Sequence, residues 1–528
     1  MAGMIVGKFV LEDLDISGAC SFIDFSTKSG RNFALKRFER PVDTVETLEN
    51  IQKPIVKIRK EMRLDKNYIE NIDNCFKTIK TTEDAVNEII NLESIDDRLK
   101  ESNEQIYFKQ GTTGDFINQY GSFIELVLFW KTIFLPGFAT ITPLLVIVIP
   151  FILLRNMFNI NIPINEYCNL LKTILLSNVP TFSLGQDNGF GQVSKYIYVL
   201  FSAGVFVSNI WNQIQAAIHL RKVASDIRKR GNQIIQYVNA SKKLAVLLKS
   251  DEGIAIVDSI GFTDETTDLG AYGKFYNNSL SLKRLREWVS EFDLYSSLAK
   301  LKGICFPKGK RYNGSFEINI EDLYHPMIPH GKRVLNSVTF SKEKNHILIT
   351  GPNRGGKSTM CKSVGFAVMC AQSWGIAFAK SMDFVPVSRF ETALAPADTL
   401  GRLSLFEAEI EFAKNILSIA DKDKDGAFML IMDEIFHSTN AHDGAEASYV
   451  FLKQLYEKGV SVGSLISTHY RELPEKLLSH AQPYCMGADT TEKDNIKYSY
   501  RFIPGISTVS SVREILRERG LLPPENSV

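Results

Sequence analysis

Apolar and charged positions along the first part of the chain follow the spacing of amphipathic helices. Residues 42–99 place apolar side chains such as Leu48, Ile51 and Ile55 between many charges. Residues 211–248 repeat this pattern and predict one long helix, whose charged side is interpreted as a solvent-facing surface. The pattern therefore predicts a mainly helical region that continues to about residue 305.

Beyond residue 305 the pattern changes to short apolar runs, which predict buried strands of an α/β domain. The runs 347–349, 428–432 and 462–468 are each followed by glycine-rich or polar sequence. Ligands bind at the carboxyl ends of strands in a parallel sheet, so the chemistry is expected just after these runs. The tail after residue 500 predicts a last strand, a turn and a closing helix.

Two further runs contain no charged residue, and they predict a different environment. Residues 136–154 approach the length that spans a ~30 Å hydrocarbon layer at about 1.5 Å per residue. Residues 196–211 form the second run, with Tyr and Trp at its ends, where interfacial aromatic residues are typical. The pair predicts a transmembrane hairpin. The alternative is a pair of buried core helices, or a dimer interface, in a soluble protein.

A glycine-rich loop follows the first of the short apolar runs. It fits the pattern G-x-x-x-x-G-K-[ST] and comprises Gly351, Pro352, Asn353, Arg354, Gly355, Gly356, Lys357, Ser358 and Thr359. Backbone N–H groups of such a loop surround the phosphates of a nucleoside triphosphate, and the lysine reaches their β and γ oxygens. The Ser358 hydroxyl is a candidate ligand for Mg²⁺. The helix expected after the loop adds its positive N-terminal end.

Two carboxylates follow the second apolar run and complete the pattern of a nucleotide site. Asp433 is the candidate second Mg²⁺ ligand, directly or through water, and Glu434 is the candidate base for the attacking water. His469 ends the third run and is the candidate contact to the γ-phosphate. A lone histidine is more often a surface or core residue, but its place after these two motifs favours the catalytic role. ATP and Mg²⁺ are the expected cofactors.

Together these motifs resemble the ATPase domain of the MutS family, a branch of the ABC-type ATPases. The loop Thr350–Thr359 is similar to the family's T-G-P-N-M-G-G-K-S-T, with Arg354 in place of Met. The family pattern after the carboxylates is matched at Thr439, Asp443 and Gly444, whereas Ser438 replaces a glycine. The resemblance implies that Asp443 belongs to the nucleotide site. Arg354 could contact the γ-phosphate or point to solvent.

The segment Ser404–Glu409 resembles the family's signature loop. In ABC-type ATPases this loop completes the site of the partner subunit, so the resemblance implies that Ser404 acts in trans across an ATP-bound homodimer. A helix N-cap followed by core residues is the alternative. Weaker matches at residues 24–41, 285–299 and 321–326 imply that the chain begins at the MutS core domain, without the mismatch-recognition and connector domains.

Composition changes this picture little. The net charge of +1 neither shows nor excludes a basic surface for DNA. The seven cysteines are scattered without a C-x-x-C pair, which favours a reducing compartment and argues against a structural zinc site. Lys and Arg cluster soon after the second uncharged run, which favours a cytosolic ATPase domain by the positive-inside rule. No cleavable signal sequence is evident.

We therefore expect a multi-domain α+β protein in which a helical core and lever region with a two-helix transmembrane hairpin precedes a P-loop ATPase domain of the ABC type. The predicted segments are a core at 1–120, an apolar region at 121–211, lever helices at 212–305 and the ATPase domain at 306–528. The expected activity is ATP hydrolysis by a membrane-anchored homodimer that moves its levers. One alternative is a soluble intracellular mismatch repair or recombination protein that binds mismatched or branched DNA. Another is a scaffold that nucleotide locks as a dimer.

Overall fold

The chain folds into two compact units in the computed structural model. The structure describes residues 3–92, 101, 103–109, 111–177, 188–394, 405–422, 425–490 and 496–521. The first unit joins Met1–Asn71 to Val289–Val528, and the second comprises Ile72–Trp288. The predicted combination of a helical first part and an α/β last part is confirmed. The joining of the N-terminal segment to the α/β part was not predicted.

The N-terminal segment begins with one short strand and continues as helices. Its elements are β1 (Ile5–Val6), α1 (Val10–Asp13), α2 (Ile16–Ala19), α3 (Lys28–Lys36), α4 (Val45–Leu64) and α5 (Tyr68–Ile90). Thr27 caps α3, since its hydroxyl accepts a hydrogen bond from the backbone N–H of Gly30. Helix α4 buries Leu48, Ile51 and Ile55, which confirms the amphipathic pattern there.

A buried carboxylate joins two of the weak sequence matches within the first unit. Asp293 accepts hydrogen bonds from the backbone N–H groups of Ser26 at 3.1 Å and Thr27 at 2.8 Å, and from the Thr27 hydroxyl at 2.7 Å. A Cβ atom on residue 30 would lie 2.2 Å from this carboxylate, so only glycine fits there. Burial raises the pKa of Asp293, and the hydrogen bonds from Thr27 and Ser26 act in the opposite direction.

The regular structure of the second unit consists of helices in its described residues. Its helices are α6 (Thr112–Asn118), α7 (Gly121–Phe129), α8 (Leu135–Asn156), α9 (Ile164–Ser177), α10 (Asn188–Leu247), α11 (Asp251–Ile260) and α12 (Asp268–Tyr276). Helix α5 and helix α13 (Leu280–Lys300) both cross its boundaries with the first unit. A π-helical turn at Trp130–Phe134 joins α7 to α8, so the two helices form one continuous rod. Pro143 and Pro150 lie inside α8 without ending it.

Two described helical stretches are long and apolar enough to cross a membrane by length and composition. They are Gly121–Pro143 and Ile197–Leu247, and the apolar stretch Ile147–Asn156 is shorter. The first stretch begins earlier than the predicted span at 136–154, because α7 and the π-helical turn extend the helix toward its N-terminus. The second predicted span, 196–211, lies inside α10, which continues through the predicted returning helix.

The α/β part of the first unit contains two sheets. The strands are β2 (Lys308–Gly309), β3 (Ile318–Leu323), β4 (Asn336–Phe340), β5 (His346–Thr350), β6 (Ser381–Phe384), β7 (Val387–Ala393), β8 (Ala427–Met432), β9 (Val462–Ser467), β10 (Gln482–Thr490) and β11 (Ile496–Pro504). The helices are α14 (Lys357–Trp374), α15 (Leu405–Lys422), α16 (Ala441–Tyr456), α17 (Glu472–Lys476) and α18 (Val512–Glu518).

The larger sheet has the strand order β1-β7-β8-β9-β5-β10-β11. Its strands are parallel except for the antiparallel pair β10 and β11. Every residue of β5, β8 and β9 is buried, as expected for central strands of a sheet covered on both faces. The smaller sheet has the order β2-β6-β3-β4. The carboxyl ends of three adjacent central strands, β8, β9 and β5, therefore meet at one edge.

Candidate nucleotide site

The glycine-rich loop connects the buried strand β5 to the first turn of α14. Gly356 adopts φ +100°, a left-handed conformation that glycine favours, and Arg354 adopts φ +66°. The backbone N–H of Gly355 donates to the Pro352 carbonyl at 3.1 Å and closes the turn. Helix α14 begins at Lys357, so its unpaired N–H groups and its positive end face the loop.

Lys357 is held inside this loop. Its ammonium donates hydrogen bonds to the carbonyls of Gly351 at 3.1 Å and Pro352 at 3.4 Å, and its side chain is only 4% exposed. The same ammonium lies 3.9 Å from a carboxylate oxygen of Glu434. Burial lowers the pKa of Lys357, and the Glu434 and Asp433 carboxylates oppose that shift. The lysine therefore lies between the loop and the acidic end of β8.

The two carboxylates after β8 are fixed by the neighbouring strand β9. The Asp433 carboxylate accepts a hydrogen bond from the Ser467 hydroxyl, and the backbone N–H of Glu434 donates to the same hydroxyl oxygen at 3.1 Å. Glu434 adopts φ +55°, an unusual conformation for a residue with a side chain. This turn directs the Glu434 carboxylate toward Lys357.

His469 and Glu434 form the closest pair of the site. Nε2 of His469 donates a hydrogen bond to the Glu434 carboxylate. That bond is the main cause of the lowered pKa of Glu434, burial acts against it, and the charges of His469 and Lys357 lower the pKa further. The structure thus brings Lys357, Glu434 and His469 together, as their places after β5, β8 and β9 predict.

A cavity of about 430 Å³ extends from these groups along the first turn of α14. Ser358 and Thr359 line it and are exposed, so both hydroxyls are free to meet a ligand there. Tyr324, His325 and Ile328, which follow β3, line the same cavity. Sequence reasoning assigned them no role, although it singled out the segment 321–326 for its resemblance. Burial lowers the pKa of His325, which favours its neutral form.

One predicted site residue, Asp443, is not brought to the loop. Asp443 lies in the first turn of α16, where the Asn440 side chain donates one hydrogen bond to its carboxylate and accepts one from its backbone N–H. Asp443 lines a separate cavity between α15 and α16. Ser404 lies outside the described residues, as does the stretch 395–403. Its neighbour in the signature motif, Glu409, accepts a hydrogen bond from the Ser438 hydroxyl, and its carboxylate lies 3.0 Å from Nδ1 of His437, just after the carboxylates of β8.

The C-terminal segment contacts the outer side of the glycine-rich loop. The backbone N–H of Asn353 donates to the Ser511 hydroxyl at 2.9 Å. The Arg354 guanidinium forms an ion pair with Glu518 in α18, and both side chains are about half exposed. Hydrogen bonding to Glu518 raises the pKa of Arg354. Of the two roles considered for Arg354, the structure shows an exposed position paired with a carboxylate.

The fold and site define an α/β domain with a mainly parallel sheet, in which a glycine-rich loop, a buried lysine and two carboxylates meet at the carboxyl edge. Residues 347–520 match the family model of MutS domain V. The resemblance to the MutS family is therefore confirmed for this region, and we call it domain V after the model that it matches. Proteins of this family are ATPases.

Similarity to curated proteins leads to the same family. The chain is 30% identical over 233 residues to the DNA mismatch repair protein MutS of Lactobacillus johnsonii, which covers 43% of this chain and 26% of that protein. It is 28% identical over 240 residues to the protein of the same name from Shouchella clausii, covering 44% and 26%. The match to that of Ehrlichia ruminantium extends over 340 residues at 23% identity, covering 63% and 39%. The chain thus spans between about a quarter and two fifths of the length of these relatives.

Proposed function

We propose that this protein binds and hydrolyses ATP at the carboxyl edge of the larger sheet. The observation that carries the proposal is the meeting of Lys357, Glu434 and His469 beside a glycine-rich loop and a cavity. On binding, the Lys357 ammonium would exchange its two carbonyl partners for phosphate oxygens. Glu434 is the base for the attacking water, and His469 orients Glu434 and contacts the γ-phosphate.

The donor set at this edge fits Mg²⁺ carried by a nucleotide. The described residues contain no group of three or more His, Cys, Asp or Glu side chains able to hold a metal ion by themselves. Mg²⁺ is usually bound through one or two protein oxygens together with substrate phosphates and water. Asp433 and the exposed hydroxyl of Ser358 are the residues that would hold it. The ion would neutralise charge on the phosphates when bound.

Turnover of ATP depends, in this proposal, on a homodimer. Glu409 couples the start of α15 to the residues after Glu434 within one chain. The resemblance to ABC-type ATPases assigns Ser404 to the partner's site. Hydrolysis would then require two subunits, each with an intact loop and an intact signature segment.

The membrane anchor is the second part of the proposal, and the register of α7, which continues into α8, against α10 supports it. The Glu125 carboxylate lies 3.5 Å from Arg228, and Cβ atoms on Gly121 and Gly231 would both meet the start of α12, so these helices run antiparallel. Two apolar bands, residues 132–154 and 196–220, contain no Asp, Glu, Lys or Arg. With equal rise along both helices, the two bands lie at the same level and span roughly 35 Å.

The side chains of these bands support the same interpretation. Most described side chains between residues 197 and 216 are exposed, although Val, Leu, Phe and Ile dominate. Exposed apolar patches of this size are unusual on soluble monomers and mark membrane or protein contacts. The loop between the bands would lie on the far side of the membrane, with domain V in the cytosol.

Carbonate extraction tests the anchor. The full-length chain should stay in the membrane pellet, whereas a chain lacking residues 136–211 should be soluble. Recovery of both chains in the supernatant would refute the anchor. Glu434→Gln tests the activity separately, since it should trap ATP and retain the dimer while slowing hydrolysis about 100-fold or more. Unchanged turnover would refute the role of Glu434.

A second candidate function is binding of mismatched or branched DNA, because the curated relatives are named DNA mismatch repair proteins. In that case the apolar bands would pack in a soluble clamp. The affinity for duplex DNA should then fall steeply as salt rises, since phosphate contacts release counterions. Titration of labelled mismatched duplex at two salt concentrations would separate this function from a membrane anchor without DNA binding.

A further inference from the structure

The N-terminal segment of the chain is built into the edge of the larger sheet. Strand β1 pairs in parallel with β7, with Ile5 opposite Arg389 and Val6 opposite Phe390. The backbone N–H of Gly7 then donates to the Phe390 carbonyl at 2.8 Å. Strand β7 in turn pairs with β8, so only one strand separates this segment from the strand that precedes the two carboxylates.

Asp13, at the end of α1, connects the segment to the carboxyl end of β7. One oxygen of its carboxylate accepts hydrogen bonds from the Thr392 hydroxyl at 2.6 Å and from the backbone N–H of Leu394 at 3.0 Å. Asp13 is only 8% exposed. Burial of a carboxylate is costly unless donors compensate it, so these two donors hold Asp13 in one place.

The residue between these two donors holds the backbone of Asp433. It is Ala393, whose carbonyl accepts a hydrogen bond from the backbone N–H of Asp433 at 2.9 Å. The Asp433 carboxylate is fixed from the opposite side, by the Ser467 hydroxyl of β9. Asp13 therefore fixes the strand end that holds the Asp433 backbone, through contacts that all lie within one chain.

Asp13 is also close to the two carboxylates in space. It lines a cavity of about 540 Å³ together with Asp433 and Glu434, and Phe9 and Glu12 of the same segment line it as well. Glu434 also lines the cavity beside the glycine-rich loop, so the two cavities meet at this residue. The N-terminal segment thus belongs to the immediate surroundings of the proposed site.

We propose that Asp13 is a positioning residue for Asp433 of its own chain, the residue that would hold Mg²⁺. This inference rests on the proposed function. Loss of the Asp13 carboxylate would leave the Thr392 hydroxyl and the Leu394 N–H without their acceptor, and the end of β7 would shift together with the Asp433 backbone. Loss of a group that orients a metal ligand typically lowers metal affinity about 10- to 100-fold. The lower end of that range is expected for Asp13, because it acts through the backbone of β7.

The Mg²⁺ dependence of nucleotide binding tests this role without relying on turnover. A fluorescent, non-hydrolysable ATP analogue is bound to the full-length chain at increasing Mg²⁺, and the Mg²⁺ concentration at half-maximal binding is measured. Asp13→Ala should raise this concentration about 10-fold, with wild-type binding at saturating Mg²⁺. Asp13→Asn should stay close to the wild-type value, because its amide oxygen can accept both hydrogen bonds.

Two further variants control for stability and folding. Asp293→Ala is the matched control, since Asp293 is also a buried carboxylate of the first unit that binds backbone and hydroxyl donors. It should lower stability and leave the Mg²⁺ dependence unchanged. Thr392→Val removes only one donor to Asp13 and serves if Asp13→Ala fails to fold. It should shift the Mg²⁺ dependence in the same direction by a smaller factor.

Three results would overturn the positioning role. The first is a wild-type Mg²⁺ dependence of Asp13→Ala. The second is an equal shift with Asp293→Ala, which would show a general effect of lost stability. The third is an equal shift with Asp13→Asn and Asp13→Ala, which would show that the charge of Asp13 acts on the ion directly.

Asp433→Ala separates this inference from the function on which it rests. It should shift the Mg²⁺ dependence further than Asp13→Ala does. If the wild-type chain binds no analogue, or if Asp433→Ala binds it like the wild type at every Mg²⁺ concentration, the proposed site fails and the role of Asp13 fails with it. If Asp433→Ala shifts the dependence but neither Asp13→Ala nor Thr392→Val does, only this inference fails.

Discussion

Uncharged apolar sequence occurs in both units of this chain, and the structure places it in opposite environments. In the first unit, strands β5, β8 and β9 are buried along their whole length. In the second unit, the described apolar side chains of α10 from Ile197 to Trp211 face outward. The same residue types therefore build a core in one unit and an exposed surface in the other.

The difference lies in what surrounds each run. Each strand of domain V is short, and helices cover both faces of its sheet, so its apolar side chains are satisfied within the unit. The bands of α8 and α10 are far longer than a strand and lack such a cover among the described residues of their unit. The apolar side chains of the sheet are covered by protein. An exposed apolar band of this length suits the hydrocarbon layer of a membrane instead.

The largest expected effect concerns the buried nucleotide site of the first unit. Lys357→Ala removes the one ammonium inside the glycine-rich loop and should weaken ATP binding by about 10- to 100-fold, the usual range for a lost charge-assisted hydrogen bond. Equilibrium titration with a fluorescent ATP analogue measures this change. Lys380→Ala, at an exposed ion pair with Glu321, is the matched control and should bind normally. Equal affinity of the two variants would contradict the site.

A charge placed in the exposed apolar band of α10 tests whether this band lies in a membrane. Val207 and Val246 both lie on α10 with similar exposure, 64% and 58%, but only Val207 lies within the uncharged band. Val207→Arg should lose membrane retention, since a charge at a helix centre costs about 2.5–3.5 kcal/mol of insertion free energy. Val246→Arg should not. Carbonate extraction of both variants gives the comparison, and equal retention of the two would contradict the placement of Val207 in a membrane-spanning band.

The sequence predicted the site better than it predicted the assembly around it. The motifs at the ends of the apolar runs predicted that Lys357, Glu434 and His469 lie close together, because the carboxyl ends of parallel strands meet at one edge of a sheet. The role of Ser467 was missed. A serine inside a buried apolar strand gives no sign that its hydroxyl will serve Asp433 on the neighbouring strand.

Contacts between distant segments were the main failure of sequence reasoning. Asp13 binds Thr392 and Leu394, and Asp293 binds Thr27, across hundreds of residues. Nothing in local spacing encodes such pairs. Asp443 is a different kind of failure. Its match to a family pattern implied a place in the nucleotide site, whereas in this structure it lies in the first turn of α16 and binds Asn440.

A smaller effect is expected from His469→Gln. The hydrogen bond from His469 is the main cause of the lowered pKa of Glu434, so Glu434 stays ionised below the ordinary value of 4.5 for a glutamate. Its lowered pKa contributes stability that is fully present above 4.5 and is lost as pH falls through the folded value. In the variant, the pKa of Glu434 should rise toward its ordinary value. The acid limb of hydrolysis against pH should therefore move to higher pH.

The control for this shift is His442→Gln, in the first turn of α16, which should leave the acid limb in place. A fall in turnover by His469→Gln without movement of the acid limb would contradict the coupling to Glu434. His469 would then act on the phosphate alone.

The smallest effect is expected at the exposed edge of the site itself. Arg354 pairs with Glu518 at the surface, and exposed ion pairs contribute little and are screened by salt. Arg354→Met, which restores the family residue, and Glu518→Gln should therefore both change the KM for ATP by less than about twofold, and the double variant should match either one. A large rise in KM with Arg354→Met alone would show that Arg354 leaves Glu518 for the phosphates when ATP binds. The site would then extend beyond the buried groups to its solvent-exposed rim.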